Sequence, residues 1–357
     1  MLLAREAGEP YRMSCALAKE AILSALENQA GIVRAGVLLA EAEVLAREVG
    51  HPHALAWATA AAAVKAWAEC RLAACAELCE RSVALFHERC ADIFYEVGSV
   101  EVWFNLHVQF LLGRLENVAR RVSNCVREAE ARGDLYTLTT ARAYVRPTLW
   151  LAQDSPEDAR REAAEAIAQW GTTAWHHQHW AGLRADCHVD LYEGAGGRLL
   201  ERVAANLPAM KRTKQLRLRA PRIEVTYLRG RGALEAALAT PARRGELLPI
   251  AERVARTLDG EASLWAAAHA CALRAGVAAL ADDARKEASP ALFERARASY
   301  EALEMPLFAA ACATSRAVLV GGDEGASLRA TARARMEAAG VKHPDRFAAF
   351  LVPRAAG

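Results

Sequence analysis

Four histidines, a cysteine and two aspartates crowd one stretch of this chain: His176, His177, His179, Asp186, Cys187, His188 and Asp190. These residue types ligate zinc and move protons. On a helix, His176 and His179 are neighbours, and Asp186 and Asp190 share a face two turns on. A structural zinc site needs ligands that converge from two elements, and a single helix cannot wrap a tetrahedral ion. Polar side chains packed between neighbouring helices are therefore the favoured reading, with no metal or cofactor expected. A metal-dependent enzyme using residues 176–190 is the rival.

A second pattern is spread over three helices. His177, Arg184 and His188 fall on one helical stripe, Arg142 and Arg146 lie one turn apart, and so do Asn105 and Gln109. If these helices line a concavity, the seven residues form a polar, partly cationic strip suited to a carboxylate- or phosphate-bearing segment. The blander alternative is that they satisfy one another between helices. One basic run, Lys211, Arg212, Lys214, Arg217, Arg219 and Arg222, lacks the interleaved aromatics of a nucleic-acid surface. It reads as a solvated helix end, so nucleic acid is an unlikely partner. Trp103, Phe104, Phe110, Trp170, Trp175 and Trp180 read as plugs in an Ala-rich core. Cys90, the thiol nearest a turn, is the candidate reactive cysteine.

What must position these residues is a repeat. Turns fall near Glu69, Gly113, Asp154, Gly194, Gly230, Asp282 and Gly321, roughly 40 residues apart, which is the period of stacked helical hairpins. The second helix of each unit carries the clearer 3.6-residue stripe. Leu115, Val118, Val122, Cys125 and Val126 are one example, with Arg120, Arg121, Arg127 and Glu128 outside the stripe. First helices are more apolar, about 52–68, 97–112, 135–152, 174–193, 217–229, 263–281 and 306–320. That places them on an inner layer touching two neighbours. Ser155-Pro156, Thr240-Pro241 and Ser289-Pro290 read as helix starts. Pro147 should kink its helix near Ala143, and 238–246 looks like a loose linker. No stretch alternates with strand period. The fold expected is all-α: a right-handed, tetratricopeptide-like two-layer α-solenoid of about seven hairpins, with 1–34 and 341–357 as caps around repeats 35–340.

The chain has 357 residues, 53% hydrophobic and 25% charged, with net charge +2, so neither wholesale disorder nor a global field for polyanions is indicated. Nine cysteines in helical patterns suit reduced thiols rather than a disulfide framework. Residues 1–25 carry Arg5, Glu6, Glu9, Arg12 and Lys19, which fits neither a secretory leader nor a membrane span and points to the cytoplasm.

Several local words occur in order: Gly8-Glu9-Pro10-Tyr11-Arg12, His176-His177-Gln178-His179-Trp180, Asp190-Leu191-Tyr192-Glu193-Gly194 and Gly321-Gly322-Asp323-Glu324-Gly325. Together they resemble the C-terminal helical-repeat region of large bacterial serine/threonine protein kinases, where a kinase domain and an ATPase-like module precede a tetratricopeptide-like tail. The resemblance implies a non-catalytic interaction or regulatory scaffold in signal transduction. It would bind a protein or peptide segment, or a fused or separate kinase or ATPase-like module, and no membrane. The kinase Gly-rich loop, paired Lys, His-Arg-Asp loop and Asp-Phe-Gly site are absent from the sequence, as is the phosphate-binding Gly-x-x-x-x-Gly-Lys-Ser/Thr loop. No enzyme activity is therefore expected. A sensor arm of a transcriptional regulator is a further alternative.

Overall fold

The computed structural model describes residues 8–90, 93–171, 174–281 and 284–355, and among them there is helix but no strand. The expected turn at Asp282-Asp283 and the outermost cap residues lie outside the described residues. None of the helices is long and apolar enough to cross a membrane, among the described residues.

The chain opens with α1 (Pro10–Ala25) and α2 (Gln29–Val49), which pack on each other. The Asn28 side chain accepts from Gly31 N–H at 2.9 Å to start α2, and Gly50, with φ 65°, ends it in the left-handed region. The cap boundary read at residue 34 thus falls inside a helix. Hairpins follow: α3 (Pro52–Ala68) with α4 (Leu72–Arg89), then α5 (Phe94–Val100) and α6 (Leu106–Leu111) with α7 (Leu115–Arg132). Next come α8 (Leu135–Thr140) and α9 (Arg146–Ala152) with α10 (Pro156–Trp170), α11 (His177–Tyr192) with α12 (Gly196–Arg212), and α13 (Arg219–Ala239) with α14 (Arg244–Asp259). The last are α15 (Leu264–Leu280) with α16 (Arg285–Ala302), α17 (Pro306–Val320) with α18 (Gly322–Ala338), and a short α19 (Pro344–Leu351). First helices begin at residues 52, 94, 135, 177, 219, 264 and 306.

Two first helices continue through a π-helical turn, Glu101–Asn105 between α5 and α6 and Ala141–Val145 between α8 and α9. In each, an N–H reaches back five residues, Leu106 to the Glu101 carbonyl and Arg146 to that of Ala141. The second turn is the distortion expected at Ala143. Pro147 has no N–H for that carbonyl, and its ring crowds it. The first has no proline to announce it.

First helices are the more buried. In α15, twelve residues are buried against four in α16. Burying an Ala-rich face of that size is what holds a hairpin whose second helix is amphipathic. Gly230 is not a turn: it lies within α13, where a Cβ would come within 2.8 Å of Leu273 Cδ1. Ser289 also lies inside a helix, its hydroxyl donating to the Ala275 carbonyl at 2.9 Å. Ser155 holds an N-cap position without capping; its hydroxyl reaches Gln153 O instead. The expected linker is short, because α13 runs to Ala239 and a 3-10 turn, Pro241–Arg243, leads into α14.

Contacts also recur at long range. Arg219 N–H donates to Leu26 O at 2.7 Å, Cys70 Sγ lies 3.9 Å from Ser263 Oγ, and Gly113 sits against Pro306. Each of these pairs is 193 residues apart in sequence. Lys342 N–H donates to Ala152 O at 2.8 Å. Hairpin ends therefore rest on hairpins between four and five units further along.

Candidate functional site: a polar strip between helices

The strip residues resolve into three clusters, each met by carboxylates from neighbouring helices. On the first π-turn, Asn105 donates to Glu101 Oε2 at 2.8 Å, and Gln109 donates to Asn105 Oδ1 at 3.3 Å and Glu80 Oε1 at 3.1 Å. Arg121 forks onto both Glu101 oxygens at 2.7 Å. One unit on, Arg142 reaches Glu162 at 3.3 Å and Glu165 at 2.9 Å, while Arg146 reaches Glu162 at 2.8 Å. Trp150 Nε1 donates to Glu162 as well.

The third cluster is the deepest. Arg184 Nε donates to Glu224 Oε1 at 2.5 Å and Nη1 to the Tyr144 carbonyl at 3.1 Å, with its guanidinium 4.5 Å from the Tyr144 ring centre. His188 Nε2 lies 3.5 Å from Glu224 Oε1, and Tyr144 Oη lies 3.3 Å from His107 Nδ1. Burial alone would push the Glu224 carboxyl up, but Arg184 and His188 outweigh it and hold the group down to about 2. Burial, reinforced by the Arg184 charge, pulls His188 down to about 4 and His107 to about 3. His188 is thus neutral at pH 7 and donates Nε2–H to a carboxylate already neutralised by Arg184. His177 stands apart, its Nδ1 2.7 Å from Gln215 Oε1 and its ring 4.2 Å from the Trp103 centre.

No open cationic strip results. Asn105, Gln109, Arg184 and His188 are buried. The space left beside Arg184, His188, Glu224 and His269 is a cavity of about 40 Å³. That volume admits a few waters and nothing larger.

What packs against Tyr227, Arg231 and His188 is the chain's own end. Phe347, Phe350 and Leu351 of α19 are buried, with Phe350 4.9 Å from the His188 ring. Arg231, wholly buried, donates to the Phe350 carbonyl at 3.1 Å and to that of Ala349, and Tyr227 Oη donates to Leu351 O at 3.1 Å. These carbonyls are the free acceptors at a helix C-terminus, so a buried guanidinium is the complement they require. Ser315 Oγ holds the Pro353 carbonyl at 2.8 Å, and Arg354 Nε reaches Glu235 at 3.1 Å.

The histidine-rich stretch does not converge. His176 Nδ1 accepts from Trp170 Nε1 at 3.1 Å; His179 Nδ1 accepts from His176 N–H at 2.9 Å, leaving Nε2 to donate to Gly171 O at 3.0 Å. Asp186 and Asp190 are held by Arg160 and Arg202, with Arg198 also on Asp190. Burial raises the Cys187 thiol far above its ordinary range. No group of three or more His, Cys, Asp or Glu could hold a metal ion, among the described residues. Beside this stretch lies an open groove of about 910 Å³ between α10 and α12, lined in part by Ile167, Trp175, Leu183, Arg202 and Arg212.

The basic run is not simply a solvated helix end. Arg219 is buried and donates to the Glu261 and Ala262 carbonyls at 2.6 and 2.7 Å. Arg222 grips both Glu261 carboxylate oxygens and the Glu27 carbonyl. Arg217 also reaches Glu27 Oε1 at 3.5 Å, so three of the six members tie hairpins together. Cys90 ends α4 with its thiol pushed up by burial.

Sequence reasoning missed Glu101, Glu162, Glu224, Tyr144, His107 and Arg231. A signal for the acids exists: Glu101–Arg121 and Arg142–Glu162 share a 20-residue offset, with the charges exchanged between first and second helix. No family model, curated protein or solved structure matches this chain.

Proposed function

We propose that this chain is a non-catalytic interaction scaffold, a tetratricopeptide-like solenoid whose inner face grips a short helix ending in Phe-x-x-Phe-Leu. The observation that carries this reading is the seating of α19. The inner helices supply buried donors, Arg231 and Tyr227, to backbone carbonyls of a segment more than a hundred residues away in sequence. Backbone recognition of that kind suits a helix presented by the same chain or by a partner, with aromatic side chains as anchors. A rigid array loses little ordering entropy when such a segment docks. Along the strip, Glu101, Glu162 and Glu224 neutralise the cations and leave no open cleft among the described residues there, which favours binding over catalysis. The resemblance to kinase tails makes a kinase or ATPase-like module in a signalling protein the partner to test first.

The test uses the full chain and a fluorescent peptide with the sequence of residues 343–355. Wild-type protein, with α19 seated, is expected to bind it weakly. Phe350→Ala, which loosens α19, is expected to capture it at least tenfold more tightly, and adding Arg231→Ala abolishes the gain. A folded Phe350→Ala chain that gains no affinity refutes the reading.

A further inference from the structure

The outer side of α2 is unlike the rest of the surface. Ala30, Val33, Val37, Ala40 and Val44 are exposed and spaced three, four, three and four residues apart, which is a heptad seam. Val33 and Val37 are 67% and 69% exposed, far more than the buried side of the same helix needs. An array of helical hairpins ordinarily ends in a polar face. The last hairpin has one, since Arg329, Arg333 and Arg335 on α18 pair with Asp345, Glu337 and Glu301. The first hairpin does not.

We infer that α2 is a self-association surface, and that its occupant is α2 of a second copy packed antiparallel. The charges beside the seam select that occupant. With a two-fold axis between Val37 and Ala40, Val33 faces Val44 of the second copy and Val37 faces its Ala40. Arg34 then faces Glu41 of the second copy, and by symmetry the pair forms twice. Arg34 is 59% exposed in its present contact with Glu20, so it can reach outward. Parallel packing would instead set Glu48 beside Glu43 of the second copy, a like-charge contact. The layers, Val33 with Val44 and Val37 with Ala40, use only small side chains, so the two helices can pack closely. An end-to-end contact with α18 would set the valines against exposed alanines and arginines, with no exposed large apolar side chain to meet them.

Three turns of seam are small for an interface, so a dimer forming at about 20 μM is expected by sedimentation equilibrium. Val37→Glu should leave a monomer across the range. Arg34→Glu and Glu41→Arg should each weaken the dimer about tenfold, and the double exchange should restore it, since it rebuilds both pairs in reverse. Far-UV circular dichroism and the thermal midpoint separate a folding defect from lost association. A wild-type chain monomeric to about 200 μM, a dimer indifferent to Val37→Glu, or a double exchange no better than either single change overturns the inference.

Discussion

Mild acid should unfold this protein through histidines and not through carboxylates. His107, His188 and His269 are buried, and burial is the first cause that holds each below its ordinary value, His107 and His269 to about 3 and His188 to about 4. His269 Nδ1 lies 2.6 Å from Tyr300 Oη and its ring stacks on Tyr227 at 3.8 Å, so the ring cannot move to water without breaking the packing of α13 and α16 around it. A depressed histidine contributes stability above its unfolded value near 6.5, and that contribution is lost as pH falls toward the folded value. Between those limits these three histidines alone make the unfolded chain bind about three more protons than the native one. The expected slope is therefore about 4 kcal/mol per pH unit. At pH 5 each histidine has removed about 2 kcal/mol, and the three together about 6 kcal/mol, which is comparable with the whole stability of many domains. The Glu224 carboxyl, held at about 2, acts in the separate window below its unfolded value near 4.5. Urea unfolding at pH 7.5, 6.5, 5.5 and 5.0 reads the slope directly. His107→Gln, His188→Gln and His269→Gln should each flatten it by about one third. A triple variant that folds at pH 7.5 and keeps the wild-type slope would refute the reasoning.

Three further outcomes follow from the same geometry. Glu224→Gln strands the Arg184 charge beside His188 and should destabilise by about 3–5 kcal/mol in urea, whereas Arg184→Met with Glu224→Leu should recover most of it. A double variant as unstable as the single one would show that the pair itself, not the stranded charge, matters. Gly113→Ala forces a side chain into φ 75° with its Cβ 2.9 Å from Pro306, so about 2 kcal/mol should be lost. An unchanged thermal midpoint would place the two hairpins further apart than described. Arg219→Ala releases the Glu261 and Ala262 carbonyls and should speed amide exchange where α14 meets α15, while the bond to Leu26 O, made by the main-chain N–H of residue 219, is kept. Exchange confined to residues next to 219 would deny the link.

The helices were legible in the sequence wherever one face repeated. The stripe from Leu115 to Val126 and the Pro52 start needed only periodicity and capping chemistry, and α3 has the bounds expected of it. Gly230 misled because glycine marks both turns and close approaches, and only the facing Leu273 and Val254 tell them apart. Ser289-Pro290 misled for a related reason: Pro290 is accommodated inside α16 as its sixth residue, so the start lay five residues earlier. The strip was found as a set of positions, but its use was not. Arg142, Arg146 and Arg184 look like free cations until Glu162 and Glu224 are placed opposite them by the fold. Arg231 gave no signal at all, because its partners are main-chain carbonyls 118 and 119 residues away.

The constant offset of 193 residues has a consequence for how such a chain can change over generations. A rod of stacked units that touch only their neighbours can gain or lose a unit without disturbing the others. Here, removing one hairpin would slide every later turn against the wrong neighbour, separating Gly113 from Pro306 and Leu26 from Arg219 at once. The molecule should accordingly melt as a single block, and its length is fixed by these long-range contacts.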